Sequence, residues 1–375
     1  MKKIAIVIHN TWQGYNFRMN LARALKKAQY DVVFISPFDA KYSPLIAKEF
    51  EYHPLYFDAK GINPLNDFKT MLALRKMYKQ VAPDLVLNFS IKPNIYSSIV
   101  SGIMGIPSVS NITGLGTVFI KEGLVTRIAK GLYKYALHFN RKVFFQNSDD
   151  KNLFVKSHLV QEEKIDLLPG SGVDLEKFMP QTPQKKQEKF VFLLIARLLR
   201  DKGVLEFIEA VRMLKKRYET IEFQLLGAAD FMNQTAISRE EVKKWEDEGL
   251  VTYLGVSDSV QNVIMHADCV VLPSYREGTP RSLLEACAME KPIIATDVVG
   301  CREVVEDGVN GYLCEVRNAQ DLADKMEKMY SLTAEERQRL GQAGREKIIR
   351  EFDEKIVITK YLETLEEIFK EEHTL

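Results

Sequence analysis

The stretch "YREGTPRSLLE", Tyr275 to Glu285, sets two carboxylates, Glu277 and Glu285, on either side of a Thr-Pro pair directly after the apolar run "CVVLP". Carboxylates accept hydrogen bonds from sugar hydroxyls. A helix opening between them would add N–H groups and a partial positive charge suited to an anion. Thr279 is the expected N-cap and Pro280 the expected first helical residue, while Gly278 lets the backbone approach a ligand closely. A capped helix with surface carboxylates accounts for the same residues. A second stretch, "LIARLLRDKGV" (194–204), sets Arg197 and Lys202 just after another apolar run. Two cations there would neutralise a diphosphate and stabilise it as it leaves; a solvated basic loop is the plain alternative. Both stretches emerge from carboxyl ends of expected strands in one sheet, so one shared site explains them better than two unrelated loops.

Buried strands must position these groups, and the chain supplies them twice. In the first half "IAIVIH" (4–9), "DVVFIS" (31–36), "DLVLNF" (84–89), "PSVSNI" (107–112) and "KVFFQN" (142–147) read as strands, with helical stretches between them at 17–28 and 66–80. Continuous apolar strands separated by helices imply a parallel sheet covered on both faces. The Pro-, Gly- and Lys-rich segment "PGSGVDLEKFMPQTPQKKQEK" then reads as a linker. After it come "FVFLLI" (190–195), "EFQLLG" (222–227), "VTYLG" (251–255), "CVVLP" (269–273) and "PIIAT" (292–296). Val204, Phe207, Ile208, Val211 and Leu214 form one helical face between the first two of these. The expected architecture is α/β, with two doubly wound Rossmann-like domains at 1–168 and 169–350 and a final helical segment at 351–375. Ligands of such sheets sit beyond the carboxyl ends of the strands. Two domains facing each other would place a site in the cleft between them.

The bulk properties agree with a two-domain globular chain: 375 residues, 46% hydrophobic and 27% charged, with a net charge of +1. That balance hides an asymmetry. Residues 1–170 carry 23 Lys and Arg against 13 Asp and Glu, and residues 171–375 carry 29 against 38. The first half suits an anionic partner or surface. The four cysteines, Cys269, Cys287, Cys301 and Cys314, form no Cys-x-x-Cys pair, which argues against a metal site or a disulfide framework and fits a reducing compartment. "MKKIAIVIHN" has too short an apolar run for a secretion signal, and no stretch approaches the roughly 18 apolar residues of a membrane span.

"ARLLRDKGV", "YLGVSD" and "LPSYREGTPRSLLEACAMEKPIIATDVVGCREVVEDGVNG" resemble the retaining family-4 glycosyltransferases, which have the GT-B fold. Their two glutamates separated by seven residues are matched by Glu277 and Glu285. The likeness is dense over about residues 165–315 and thinner in the first half, through "GLG" at 114–116 and "SIKPN" at 90–94. Within the family the chain is most similar to bacterial enzymes that extend undecaprenyl-diphosphate-linked sugars with UDP-N-acetylhexosamines, in protein N-glycosylation, O-antigen or capsule assembly. The resemblance implies that Arg197 and Lys202 hold the donor diphosphate, Glu277 the transferred sugar and Glu285 the ribose, with the backbone around Leu254 and Gly255 meeting the base. It also implies a glycine-containing loop after the first strand, here "NTWQGYNFR" (10–18) with Gly14 in place of the usual adjacent pair. Many members place a histidine near the sugar; at the corresponding place "SIKPN" offers Lys92.

Retention at the anomeric carbon is expected from the resemblance. No residue stands out as a covalent nucleophile, so front-face attack assisted by a donor phosphate oxygen is the preferred course. No Asp-x-Asp triplet is present to hold a metal, and no cofactor is expected beyond the UDP-sugar co-substrate.

Residues 124–142 contain no acid, and Arg127, Lys130, Lys134, His138 and Arg141 follow helical steps of three and four. Ile128, Leu132, Tyr135 and Phe139 are expected on another face of the same helix. Such a helix can lie on an anionic membrane or guide a lipid diphosphate, which predicts peripheral contact with the cytoplasmic face of the inner membrane. A solvated amphipathic helix is the alternative. Arg18 and Lys92, near the ends of the first and third expected strands, are further candidates for the acceptor diphosphate. The tail, with Ile356, Tyr361, Leu365 and Phe369 among its apolar positions, is expected to pack back on the first domain, as in relatives.

Other classes fit less well. "GLGTVF" at 114–119 lacks the dinucleotide-binding spacing and follows the wrong strand. Nothing resembles a nucleic-acid-binding module, and the second half is acidic. A GDP-mannose-dependent mannosyltransferase would share every phosphate-binding residue named here. A non-catalytic sugar-nucleotide-binding protein would close on its ligand without releasing UDP.

Overall fold

The computed structural model describes residues 1–57, 63–114, 123–181, 188–229 and 235–374. Part of the linker, and Leu115 and Gly116 of the "GLG" motif, lie outside the described residues. The chain divides into two compact units, Met1–Ser171 together with Val357–Leu375, and Gly172–Ile356.

The first unit is built on β1 (Lys3–Ile8), α1 (Thr11–Lys27), β2 (Asp31–Ser36), α2 (Tyr42–Ala47), β3 (Glu51–Pro54), α3 (Pro64–Val81) and β4 (Leu85–Phe89). A π-helical turn, Pro93–Ser97, then runs into α4 (Ser98–Ile103). After it come β5 (Ser108–Ile112), α5 (Leu124–His138), β6 (Lys142–Phe145), α6 (Ser148–Lys156) and β7 (Ile165–Leu167). The seven strands form one parallel sheet in the order β3-β2-β1-β4-β5-β6-β7. Central strands such as β1, with Ile4 to Ile8 all buried, are apolar on both faces because helices cover both.

The second unit holds β8 (Phe190–Ile195), α7 (Val204–Lys215), β9 (Ile221–Leu226), α8 (Arg239–Asp247), β10 (Thr252–Tyr253), α9 (Val260–Ile264) and β11 (Cys269–Leu272). It continues through α10 (Arg281–Ala288), β12 (Ile293–Thr296), α11 (Cys301–Val304), β13 (Gly311–Cys314), α12 (Ala319–Ser331) and α13 (Ala334–Glu351). Its six strands are also parallel, in the order β10-β9-β8-β11-β12-β13. β8 and β11 are therefore central neighbours, and the loops leaving their carboxyl ends start side by side. α14 (Glu354–Thr374) closes the chain, and its Val357, Tyr361, Leu365, Ile368 and Phe369 are buried in the core of the first unit. Val357 takes the buried place expected for Ile356.

Three strands escape the apolar-run reading. β3 and β7 are short edge strands of mixed polarity, and β13 opens on Gly311, whose added Cβ would lie 2.0 Å from Ile293 O. The segment after β1 is helical from Thr11, capped by the Asn10 side chain on the Gln13 N–H, rather than a loop. Gly14 thus lies in the first turn of α1, buried against Ile8, Phe34 and Ile46. All four cysteines are buried thiols, and burial pushes those of Cys287 and Cys314 up to about 12.

Candidate donor site at the carboxyl edge of the second sheet

After β8 the backbone stays beside the continuation of β9: the Ala196 N–H donates to Leu226 O at 3.0 Å and the Leu198 N–H to Ala228 O at 2.9 Å. A short 3-10 turn over Arg200–Lys202 follows, ended by Gly203 at φ +70°. A Cβ on Gly203 would fall 1.9 Å from Pro273 O, so only glycine lets this loop touch the loop after β11. The contact is completed by the Tyr275 N–H on Asp201 O at 2.9 Å and the Ser274 hydroxyl on the same oxygen at 3.2 Å.

This stitching brings Lys202 and Glu277 together. The Lys202 ammonium lies 2.5 Å from Glu277 Oε1, with the two side chains 16 and 13% exposed. Glu277 is held from the other side as well. Its N–H donates to Val299 O at 3.1 Å, and Gly300, at φ +82°, presses on the same turn so closely that a Cβ would lie 2.4 Å from Gly278 O. Arg197 stands exposed at the end of β8.

The helix after this turn begins one residue later than expected. α10 starts at Arg281, with Pro280 as its N-cap at φ −74°, ψ 108° and no side-chain cap bond. Thr279 is therefore not the cap, and Pro280 is not the first helical residue. The clasp of 277–278 by 299–300 holds this approach extended, and the Pro280 carbonyl takes the Leu283 and Leu284 N–H groups at 3.1 and 3.2 Å. Glu285, one turn inside, is buried and paired with Arg281 at 3.0 Å. Both Arg281 contacts fall on Glu285 Oε1, and Arg281 also donates to Gly172 O at 3.2 Å.

Leu254 and Gly255 follow β10 at the same edge. The Leu254 N–H donates to Leu225 O at 2.9 Å, and the Gly227 N–H to Gly255 O at 2.8 Å. Gly227 also approaches Ala196 so tightly that a Cβ would meet its carbonyl oxygen at 1.7 Å. Arg197, Lys202, Leu254, Gly255, Glu277, Gly278, Thr279 and Pro280 thus belong to loops and turns at one edge of one sheet, and Glu285 to the helix that starts there.

The sequence reading missed Tyr275 and Glu206. The Tyr275 hydroxyl donates to Glu206 Oε1 at 2.6 Å, and the Arg317 guanidinium lies 4.6 Å from the Tyr275 ring centre. Burial, with the Glu206 carboxylate beside it, pushes the Tyr275 phenol up to about 12, so it remains a donor. These residues lie 69 and 42 positions apart, and no local pattern links them.

In the first unit the candidate acceptor residues are differently placed. Arg18 is buried, with its guanidinium 4.2 Å from the centre of the Phe89 ring and donating to Ser171 Oγ at 3.0 Å. Lys92 is paired with Asp67 at 2.6 Å, and Asp67 also accepts from the Tyr96 hydroxyl at 2.7 Å. At the end of β1, His9 Nδ1 meets the hydroxyl of Ser90, which follows β4 at φ +76°. On α5, Arg127, Lys134 and His138, with Arg141 just beyond the helix, are exposed and Lys130 is half-buried. The expected apolar face splits: Ile128 and Tyr135 are exposed beside the stripe, Leu132 and Phe139 are half-buried, and Thr126, Tyr133, Ala136 and Leu137 are buried. Among the described residues no helix is long and apolar enough to cross a membrane.

Residues 3–147 match the family described as glycosyl transferase 4-like, and residues 176–347 match glycosyl transferases group 1. The chain is 30% identical to a Campylobacter jejuni N,N'-diacetylbacillosaminyl-diphospho-undecaprenol alpha-1,3-N-acetylgalactosaminyltransferase, over 98% of this chain and 99% of that one. It is 27% identical to an Escherichia coli UDP-Gal:alpha-D-GlcNAc-diphosphoundecaprenol alpha-1,3-galactosyltransferase over 69% of each. Among solved structures, the fold matches Anabaena Alr3699/HepE in complex with UDP and glucose, with a TM-score of 0.81 at 20% identity over 98% of this chain and all of that one. Two family models spanning most of the chain, a full-length relative and paired Rossmann-like units agree: the chain belongs to the GT-B glycosyltransferases that join a glycosyl transferase 4-like first half to a group 1 second half.

Proposed function

We propose that this glycosyltransferase moves an N-acetylhexosamine, of GalNAc or GlcNAc type, from a UDP-sugar to an undecaprenyl-diphosphate-linked saccharide, with retention at the anomeric carbon. The observation that carries the site is the meeting of Lys202 and Glu277 at the carboxyl edge of β8 and β11. The choice of donor and acceptor rests on the Campylobacter relative, which is similar along its whole length.

In this reading Lys202 and Arg197 neutralise the donor diphosphate, helped by the first-turn N–H groups of α10. Glu277 accepts hydrogen bonds from the transferred sugar. Glu285 Oε2 serves the ribose while Oε1 stays with Arg281, and the turn at Leu254 and Gly255 meets the base. The anomeric C–O bond to UDP breaks as the acceptor oxygen bonds the same face, and the acceptor proton passes to the departing phosphate oxygen. Arg18 is left out of acceptor binding because it is buried in packing; Lys92 stays a candidate for the acceptor diphosphate, exchanging its pair with Asp67 for phosphate as Lys202 exchanges its pair with Glu277. Gly14 is left out of donor binding, since it packs inside the first unit. The basic face of α5 supports peripheral contact with an anionic membrane on its cytoplasmic side, where lipid-linked acceptors would be reached.

Incubation with UDP-GalNAc, UDP-GlcNAc and GDP-mannose, each with an undecaprenyl-diphosphate-linked saccharide, is the direct test. UDP release and an extended lipid-linked product are expected with a UDP-N-acetylhexosamine. Product from GDP-mannose alone would overturn the donor assignment, and ligand binding without nucleotide release would overturn transfer.

A further inference from the structure

α3 has two apolar faces, and the chain uses only one of them. Thr70, Leu74, Tyr78 and Val81 point into the core. On the opposite side Leu65, Phe68 and Leu72, at steps of three and four, are 73, 58 and 51% exposed. A helix that is apolar all round is ordinarily buried all round. Here the outer apolar stripe is continued by cations, since Lys69, Arg75, Lys76 and Lys79 are all exposed. The one acid of the helix, Asp67, is half-buried and engaged by Lys92 and Tyr96, so it does not offset them.

This surface does not stand alone. α3, α4 and α5 pack their inner sides into one core cluster on the same face of the seven-stranded sheet, and α4 touches both of the others. Their outer sides therefore face the same way. Along that face Ile103 of α4 and Ile128 and Tyr135 of α5 are also exposed large apolar residues. Neither α4 nor α5 contains an acid, while α5 adds the exposed Arg127, Lys134 and His138. A protein interface would be expected to pair some of this charge with acids of its own rim. Across α3, α4 and α5 the exposed charges are basic, with Glu162 beside Lys134 and His138 at the border; this pattern with scattered large apolar side chains matches the boundary of an anionic bilayer, where head groups meet the cations and acyl chains take the apolar groups.

We infer that α3 is a membrane-inserting element, with Leu65, Phe68 and Leu72 entering the acyl region of an anionic phospholipid bilayer while the basic side chains of α3 and α5 hold the head groups. The inference rests on the membrane reading of α5 and goes beyond it, because it requires insertion rather than adsorption by charge alone.

The test uses the full chain and vesicles of phosphatidylcholine containing a quarter phosphatidylglycerol. Combined Leu65→Ser, Phe68→Ser and Leu72→Ser is expected to lower vesicle partitioning at least about tenfold, from the apolar area no longer removed from water, with UDP affinity unchanged. Phe68→Trp is expected to show fluorescence quenching by lipids brominated in their acyl chains beyond that of the parent with Trp12 and Trp245. Parental partitioning of the triple variant, or no added quenching, overturns insertion. If Lys130, Lys134 and Arg141 changed to Glu releases the protein while the triple serine variant stays bound, membrane contact stands and insertion by α3 falls. If the parent binds no pure lipid vesicle, both fall and a protein partner replaces them.

Discussion

Glu277→Gln has an outcome whose sign separates a working site from a structural ion pair. Lys202 lies 2.5 Å from Glu277 Oε1, and both side chains are mostly shielded. A hydrogen bond to a charged group contributes about 1.5–3 kcal/mol net. If Lys202 is to hold the donor diphosphate, part of that attraction must be surrendered on binding. Taking the lower bound, removal of the competing charge strengthens UDP binding roughly tenfold, at about 1.4 kcal/mol per decade. Turnover moves the other way, by about a hundredfold or more, since the group proposed to hold the transferred sugar is lost. Lys202→Ala lowers both UDP affinity and turnover. The double variant loses the gain that Glu277→Gln gives alone, which is the signature of coupling. Titration calorimetry with UDP at constant ionic strength reads the affinities, and UDP release in the presence of acceptor reads turnover. Weaker UDP binding by Glu277→Gln, or unchanged binding by Lys202→Ala, refutes the competition.

Two further outcomes follow from the geometry. Gly300→Ala would place a Cβ 2.4 Å from Gly278 O at φ +82°, so the turn carrying Glu277 must shift; a misplacement near 1 Å costs about a hundredfold in turnover, and parental UDP release would show that the 299–300 clasp does not set the site. Burial raises the phenols of Tyr78 and Tyr133, and raises those of Tyr275 and Tyr361 to about 12. The unfolded chain ionises its tyrosines near pH 10, so their contribution is complete below that pH and falls as pH rises towards the folded values. Thermal melts should be level from pH 8 to about 9.5 and drop steadily above 10; a flat profile to pH 12 contradicts the burial.

Long apolar strands were readable because full burial demands unbroken apolar runs: β1, β2, β8 and β11 lie within a residue of where the pattern puts them. β3, with sequence "EYHP", has no such pattern because it lies at the sheet edge. The grouping of the candidate residues was also legible, since Arg197, Lys202, Glu277 and Glu285 sit within two short stretches whose strands are neighbours. What could not be read was tertiary. Gly203 and Gly300 look like ordinary turn residues until Pro273 O and Gly278 O are seen against them. The Tyr275–Glu206 hydrogen bond, the Asp67 partner of Lys92 and the packing of Arg18 on Phe89 join distant segments with no local signature. On α5 the basic stripe follows from spacing alone, but which apolar residues turn outward depends on what the helix packs against.

α14 places Val357, Tyr361, Leu365, Ile368 and Phe369 among Ile4, Ile6, Phe89 and Phe144, and the Tyr361 hydroxyl accepts from Asn111 Nδ2 at 2.8 Å. During translation that interior stays open on one side until α14 has been made. At roughly 5–20 residues per second, the interval between the departure of residue 171 and the arrival of residue 357 is about 10–40 s. Over that time the nascent chain leaves uncovered the apolar sheet face that α14 later packs against. The second unit needs nothing synthesised after Ile356, so the half made later is the first that can finish folding.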